Sequence, residues 1–154
     1  MLEAPTRTSP GARFAAGYLT LVASHNVADY WAQTTYQANN KGRHGSVHEN
    51  AVGRRACLNH VATYTAATTS AIAGVNKGLG LGANWRGILV GQAISSASHY
   101  FADRRHTLRK LAEHTGRLEF YDNGGSASLD QSWHLGWLAL AALATATIGR
   151  GGKP

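Results

Sequence analysis

The stretch Cys57-Leu-Asn-His-Val-Ala-Thr-Tyr-Thr-Ala-Ala-Thr-Thr-Ser-Ala-Ile-Ala-Gly-Val-Asn76 decides the fold class. It runs 20 residues without a Lys, Arg, Asp or Glu. A second such stretch runs from Gln131 to Gly149. Both are long enough to cross a bilayer, which takes ~20 residues. Both are also rich in Ala, Thr and Gly, and each carries an internal histidine, His60 and His134. The reading is of helices buried in a protein bundle, with membrane embedding as the less favoured alternative.

Two further helices frame these stretches. The first is expected from about Ala15 to Ala38, stopped by the turn residues Asn39-Asn-Lys-Gly42. A polar, basic segment from Gly42 to Arg55 reads as a loop or a short helix before a second helix from about Arg55 to Val75. Gly78-Leu-Gly-Leu-Gly82 lacks the Lys-Ser/Thr of a phosphate loop and reads as a helix–helix linker. A third helix is expected from Asn84 or Trp85 to about His114. Leu118 to Tyr121 is the one candidate for a short strand. Ser128 is a plausible N-cap for a fourth helix from Leu129 to Ile148. The expected architecture is one all-α, four-helix-bundle-like domain over residues 15–148, with flexible segments at 1–14 and 149–154.

The bulk numbers fit that picture. The 154 residues suit one domain, and 44% hydrophobic residues suffice for a core. One cysteine, Cys57, excludes a disulfide scaffold or a Cys-rich zinc module. The start of the chain lacks the charged-then-apolar pattern of a secretory signal, so a cytoplasmic location is expected. Fifteen Lys and Arg against eight Asp and Glu give a net charge of +7. Such a balance favours anionic partners: a phosphate-bearing substrate, nucleic acid or an anionic membrane surface.

Acids are scarce, so their positions are informative. The only aspartates are Asp29, Asp103, Asp122 and Asp130. Three of them stand four residues from a histidine: His25–Asp29, His99–Asp103 and Asp130–His134. Random placement on this composition would produce about 0.4 such pairs. On a helix, residues four apart share a face. Three expected helices therefore each present an imidazole beside a carboxylate, and the remaining one adds His60.

Such groups are costly to bury unless paired or coordinated. Helix bundles build metal sites from inward-facing His and carboxylate side chains on several helices. The candidate ligands are His25, Asp29, His60, His99, Asp103, Asp130 and His134. Imidazole with carboxylate suits Zn, with Mn or Fe as alternatives. An aspartate of the set, Asp29, Asp103 or Asp130, is the candidate general base. Gln33, one turn beyond Asp29, and Gln131, beside Asp130, are candidates for orienting the ligands. Arg104 and Arg105, directly after Asp103, are candidates for holding a substrate phosphate. His44, His48, Glu49, His106 and His114 read mainly as solvated. The competing reading is a small basic binding or structural protein whose His–Asp pairs are buried hydrogen-bonded staples.

The ordered set His25-x3-Asp29-x3-Gln33, His60, His99-x3-Asp103 and Asp130-Gln131-x2-His134 resembles a helical family of bacterial and phage proteins of unknown function, family 3307. The resemblance spans about Leu19 to Ala144. It implies a compact helical domain of metal-dependent hydrolase character, in a family often membrane-embedded. This chain is more polar and richer in Ala, Thr and Gly than the membrane-like members. Residues and resemblance together lead to the expectation of a metal-dependent hydrolase of a phosphoester, nucleotide or nucleic acid.

Overall fold

The structure, a computed structural model, describes residues 8–149. Among the described residues the chain is all-helical, with no strand. Helix α1 spans Pro10–Val27 and runs on into a π-helical turn, Ala28–Ala32. After a short α2, Thr35–Asn40, comes the long α3, Val47–Gly78. Helix α4 is Trp85–Asp103 and α5 is His106–His114. A single turn, α6 (Leu118–Phe120), and a second π turn, Tyr121–Gly125, lead into α7, Ser126–Thr147.

The four long helices close into a ring. Helix α4 packs on α7, α7 on α1, α1 on α3, and α3 back on α4. The apolar core is Leu21, Ile72, Ile88, Leu138, Ala141 and Ala142, with Phe14, Tyr18, Val22 and Ile94 packed around it. The α4–α7 crossing is close because α4 offers glycines there. A Cβ on Gly91 would stand 2.6 Å from the Ala141 carbonyl oxygen, and one on Gly87 2.9 Å from that of Thr145. No helix among the described residues is long and apolar enough to cross a membrane, the Cys57–Asn76 and Gln131–Gly149 stretches included.

The core and the polar residues occupy successive layers along the bundle. His25 lies one turn beyond Leu21 on α1, and His134 one turn before Leu138 on α7. Between the apolar layer and the histidines sits a hydrogen-bonded layer. Tyr64 Oη pairs with Ser95 Oγ at 2.7 Å, and Thr68 Oγ1 donates to Gln92 Oε1 at 2.8 Å. All four of these side chains are buried, so each hydroxyl has its partner where water is absent.

Several boundaries differ from the sequence expectations, each for a local reason. The first helix begins at Pro10, where Ser9 caps it and proline suits the first position, so residues 10–14 are helical. It does not continue to Ala38. Gln33 is extended, and Thr34 with Gln37 forms a capping box that starts α2 afresh. A second capping box, Ser46 with Glu49, starts α3 within the segment expected to be a loop. The third expected helix is divided at Arg104 and Arg105, where Arg105 takes a positive φ of 51°. Leu118 to Tyr121 is a helical turn and no strand. Ser128 lies inside α7, which starts at Ser126, so it is no N-cap. The Gly78–Gly82 linker is as expected, with Gly80 and Gly82 at positive φ. The basic tail expected beyond Gly149 lies outside the described residues.

Candidate metal centre

All seven residues singled out as ligands meet at one end of the bundle. His25 comes from α1, Asp29 from the π turn after it, His60 from α3, His99 and Asp103 from α4, and Asp130 and His134 from α7. The π turn adds a residue to the helical circuit at Asp29, a distortion often found at functional sites. His25, His60, His99, His134 and Asp103 are buried.

The innermost contact joins two imidazoles. His60 Nε2 and His99 Nε2 are 3.0 Å apart, so at most one proton fits between them. Two carboxylate oxygens approach the same pair. Asp29 Oδ1 lies 3.2 Å from His60 Nε2 and 3.4 Å from His99 Nε2. Asp103 Oδ2 lies 3.3 and 3.2 Å from the same two atoms. Ligand atoms held tetrahedrally by an ion at ~2.0–2.1 Å are about 3.3 Å from one another. Around this centre, three sets of potential ligand atoms lie within 4.8 Å of one another: His25, His99 and His134; Asp29, His60 and His99; Asp103, Asp130 and His134. His99 and His134 each belong to two sets. The donors could hold a metal ion.

A network of hydrogen-bonded staples would satisfy these atoms; here many are left without a partner. Buried and unpartnered are both ring nitrogens of His25, Nδ1 of His60 and His99, Nε2 of His134, Asp29 Oδ1 and Asp103 Oδ2. The two outer His–Asp pairs, His25–Asp29 and Asp130–His134, stand at 3.6 Å, too long for hydrogen bonds. One unpartnered buried polar atom costs about 1–3 kcal/mol. Such a convergent set of donors could hold a cation.

The surroundings push the titratable groups apart. Burial, together with the charges of His99 and His25, pushes His134 down to about 3. Burial lowers His25 as well, against the pull of Asp29. Burial alone would raise Asp29 and Asp103. For Asp29 the close approach of His60, with His99, His25 and Lys41 nearby, outweighs it, and for Asp103 His99 and Lys41 do. Both carboxyls therefore lie below the usual range. Asp130 goes the other way: burial and the charge of Asp103 raise it to about 6. One cluster thus contains two carboxyls held below the usual range, one carboxyl raised above it, and two imidazoles, His25 and His134, that burial favours in the neutral, metal-binding form.

Three supporting residues escaped the sequence reading. Lys41 Nζ lies 2.8 Å from Asp103 Oδ1, a pair almost wholly out of water. The other oxygen of Asp103, Oδ2, is the one facing the histidines. Tyr64 stacks on His99 with ring centroids 3.9 Å apart. Trp133 Nε1 donates to the Ser98 carbonyl at 3.0 Å, bracing α4 beside His99. Lys41 had been read as part of a turn. Only the Ser–Tyr–Thr–Gln polarity within otherwise apolar helices hinted at the hydroxyl layer.

The centre opens on a cleft of about 730 Å³, walled by Asp29, Gln33, Lys41, Asp103, Asp130 and Gln131 among others. Gln33 Nε2 is buried and unpartnered there. Gln131 Nε2 reaches Asp130 Oδ2 at 3.5 Å. The arginine pair is split. Arg105 lines the cleft. Arg104 does not: it is buried and donates to the carbonyls of Lys41 and Arg43 and to Asn50 Oδ1. It anchors the Lys41 loop, and Gly53 leaves room for its guanidinium. Arg104 is therefore a structural clamp, contrary to its expected place among substrate contacts. His44 stacks on His106 with centroids 4.7 Å apart, away from the centre, and Glu49 is spent on capping α3.

No protein-family model matches this chain, no curated protein matches it, and no solved structure matches it. The resemblance to family 3307 rests on the order of the His and Asp motifs.

Proposed function

We propose that the protein is a metal-dependent hydrolase of phosphate esters. The observation that carries this reading is the convergence of His60 Nε2, His99 Nε2, Asp29 Oδ1 and Asp103 Oδ2 at 3.0–3.4 Å, with both carboxylate oxygens buried and unpartnered. Zinc suits a set of imidazoles and carboxylates, with manganese or iron as alternatives. The thiol of Cys57 is turned to the Tyr100 carbonyl at 3.8 Å and belongs to none of the three sets of potential ligands. A divalent ion held by these residues would supply Lewis-acid polarisation of a phosphoryl oxygen and would make water acidic enough to act as a nucleophile at neutral pH.

The chain's own residues account for the rest. Lys41 neutralises the outer oxygen of Asp103 and directs Oδ2 inward. Asp130 borders the cleft and titrates near 6, so its carboxylate serves as the base that takes a proton from attacking water. Arg105 supplies positive charge at the cleft wall for the phosphate, and the +7 balance of the chain draws such anions in.

The test is elemental analysis of the purified protein, followed by assay with bis-p-nitrophenyl phosphate before and after chelation. Stoichiometric zinc, manganese or iron is expected, with turnover lost on chelation and restored by the metal. His99→Ala and Asp103→Ala should lose both metal and turnover. Absence of stoichiometric metal and of turnover, with chelator leaving the protein unchanged while both variants lose stability, would overturn the reading in favour of a binding or structural protein with His–Asp staples.

A further inference from the structure

Beside the polar cleft lies a second depression of opposite character. It is a groove of about 540 Å³ between α5 and α7, within the ~300–1,000 Å³ typical of small-molecule sites. Its walls are Leu108 and Leu111 from α5 and Leu129, Trp133, Trp137 and Leu140 from α7. Leu108 lines both the groove and the cleft. Leu129, on the opposite wall, immediately precedes Asp130. The two depressions therefore share a wall, and the apolar one begins where the carboxylates end.

The groove is mostly apolar, with Thr115, Arg117 and Ser132 the polar residues of its lining. The Trp133 indole N–H is already spent on the Ser98 carbonyl, and its ring is held between Phe101 and Trp137, with centroids at 4.9 and 5.4 Å. What Trp133 presents is carbon surface. Gly136 lies on the α7 side, and a Cβ added there would meet nothing within 4 Å. From Leu129 to Leu140 the α7 wall is about 16 Å long at 1.5 Å per residue.

We propose that the α5–α7 groove is the binding site for a single alkyl or prenyl chain carried by the phosphate ester, so that the substrate is an amphiphile with its phosphate at the His–Asp centre. This rests on the hydrolase reading for the position of the phosphate. The ligand's two chemistries are matched by adjoining surfaces: Arg105 in the cleft for the anion, leucine and tryptophan in the groove for the chain. A nucleotide would leave the groove unused.

Chain-length dependence tests it. Tryptophan emission of the chelator-treated and the zinc-loaded protein is titrated with dodecyl phosphate and with butyl phosphate, below the micellar range. Hydrolysis of both esters by the zinc-loaded protein is followed in parallel. Dodecyl phosphate should bind about ten-fold or more tightly than butyl phosphate, because the added methylenes are buried. Gly136→Leu fills the groove from a helical position and should erase that preference. Gly74→Leu, the same change at an open helical glycine on α3, should leave it intact. Equal binding of the two esters, or a preference that survives Gly136→Leu, would overturn the proposal. So would a dimer that Gly136→Leu dissociates without any chain-length preference, which would assign the groove to a second copy of the chain. A preference that persists after chelation, with neither ester hydrolysed by the zinc-loaded protein, would uphold the groove and overturn the hydrolase reading. Hydrolysis of both esters without preferential binding would do the reverse.

Discussion

Lys41 Nζ and Asp103 Oδ1 form an ion pair at 2.8 Å, with the two side chains only 11% and 3% exposed. The pair divides the two oxygens of Asp103 between two tasks. Oδ1 is neutralised by the ammonium, and Oδ2 is left to face His60 and His99. Removing one member of a buried pair is far more damaging than never having had it, because a charge is left behind.

Lys41→Met should therefore lower the stability of the chelator-treated protein by about 3 kcal/mol in urea unfolding. Added zinc should recover much of that loss, since the cation compensates Asp103 in place of the ammonium. Equal losses with and without zinc would mean that Asp103 is no part of a metal centre.

Arg104→Met should remove donors from three partly buried acceptors, the carbonyls of Lys41 and Arg43 and Asn50 Oδ1. The expected cost is about 2–4 kcal/mol. Hydrogen exchange should quicken around the Lys41–Gly45 loop. A substrate-binding arginine would instead raise KM and leave stability alone, so the two roles separate in one pair of measurements.

His134 predicts acid lability. Its folded pKa, pushed down to about 3, lies below the 6.5 of an unstrained histidine. The stability it contributes is fully present above pH 6.5 and is lost as the pH falls towards 3, because the unfolded chain takes up the proton first. His25 acts in the same direction. The histidines' share of that loss should be about 2–3 kcal/mol between pH 7 and pH 4, partly offset by Asp130, so it is read as the difference in slope between the parent and His134→Gln, both chelator-treated. His134→Gln should flatten that slope. Asp29 and Asp103, both lowered, extend the loss below the ordinary carboxylate range.

Asp130 has the opposite sign. Its pKa is raised to about 6, so the stability it contributes is present at low pH and is lost as the pH rises through 6. Asp130→Asn should stabilise the chelator-treated protein by about 1–2 kcal/mol at pH 7.5 and by nothing measurable at pH 3.5. The same change should abolish turnover with metal present. A variant more stable but inactive is the signature of a carboxyl held in a costly environment for chemistry.

The fold class and the histidines and aspartates that converge were both legible in the chain. Cys57–Asn76 and Gln131–Gly149 read as bundle or membrane helices from their lack of charge, and in the bundle each still turns uncharged residues such as Leu58, Leu140 and Leu143 to the surface. The His25–Asp29, His99–Asp103 and Asp130–His134 spacings are local properties, since four residues make about one helical turn. That His60 belonged with them followed from its place in an uncharged helix.

The helix breaks were harder to see. Thr34 with Gln37 and Ser46 with Glu49 are capping boxes readable from sequence, yet the surrounding residues suit either a helix or a loop. The break after Asp103 has no local signal at all. Arg104 turns inward because carbonyls 61 and 63 residues away need its donors. Sequence proximity to Asp103 suggested a phosphate contact, and tertiary burial assigned the guanidinium elsewhere.

What the sequence alone determined was periodicity: which residue types recur on one face of each helix, and hence an all-α bundle carrying His and Asp in register. Only the tertiary structure decided that four such faces turn towards one point, and that Lys41 completes Asp103 there. It also decided that an apolar groove adjoins the cleft at Leu108. Periodicity is set by the backbone's own geometry within a few residues. Convergence is set by which helices are neighbours and how far each is shifted along its axis, which depends on packing between distant parts of the chain, as where Gly87 and Gly91 let α4 settle on α7.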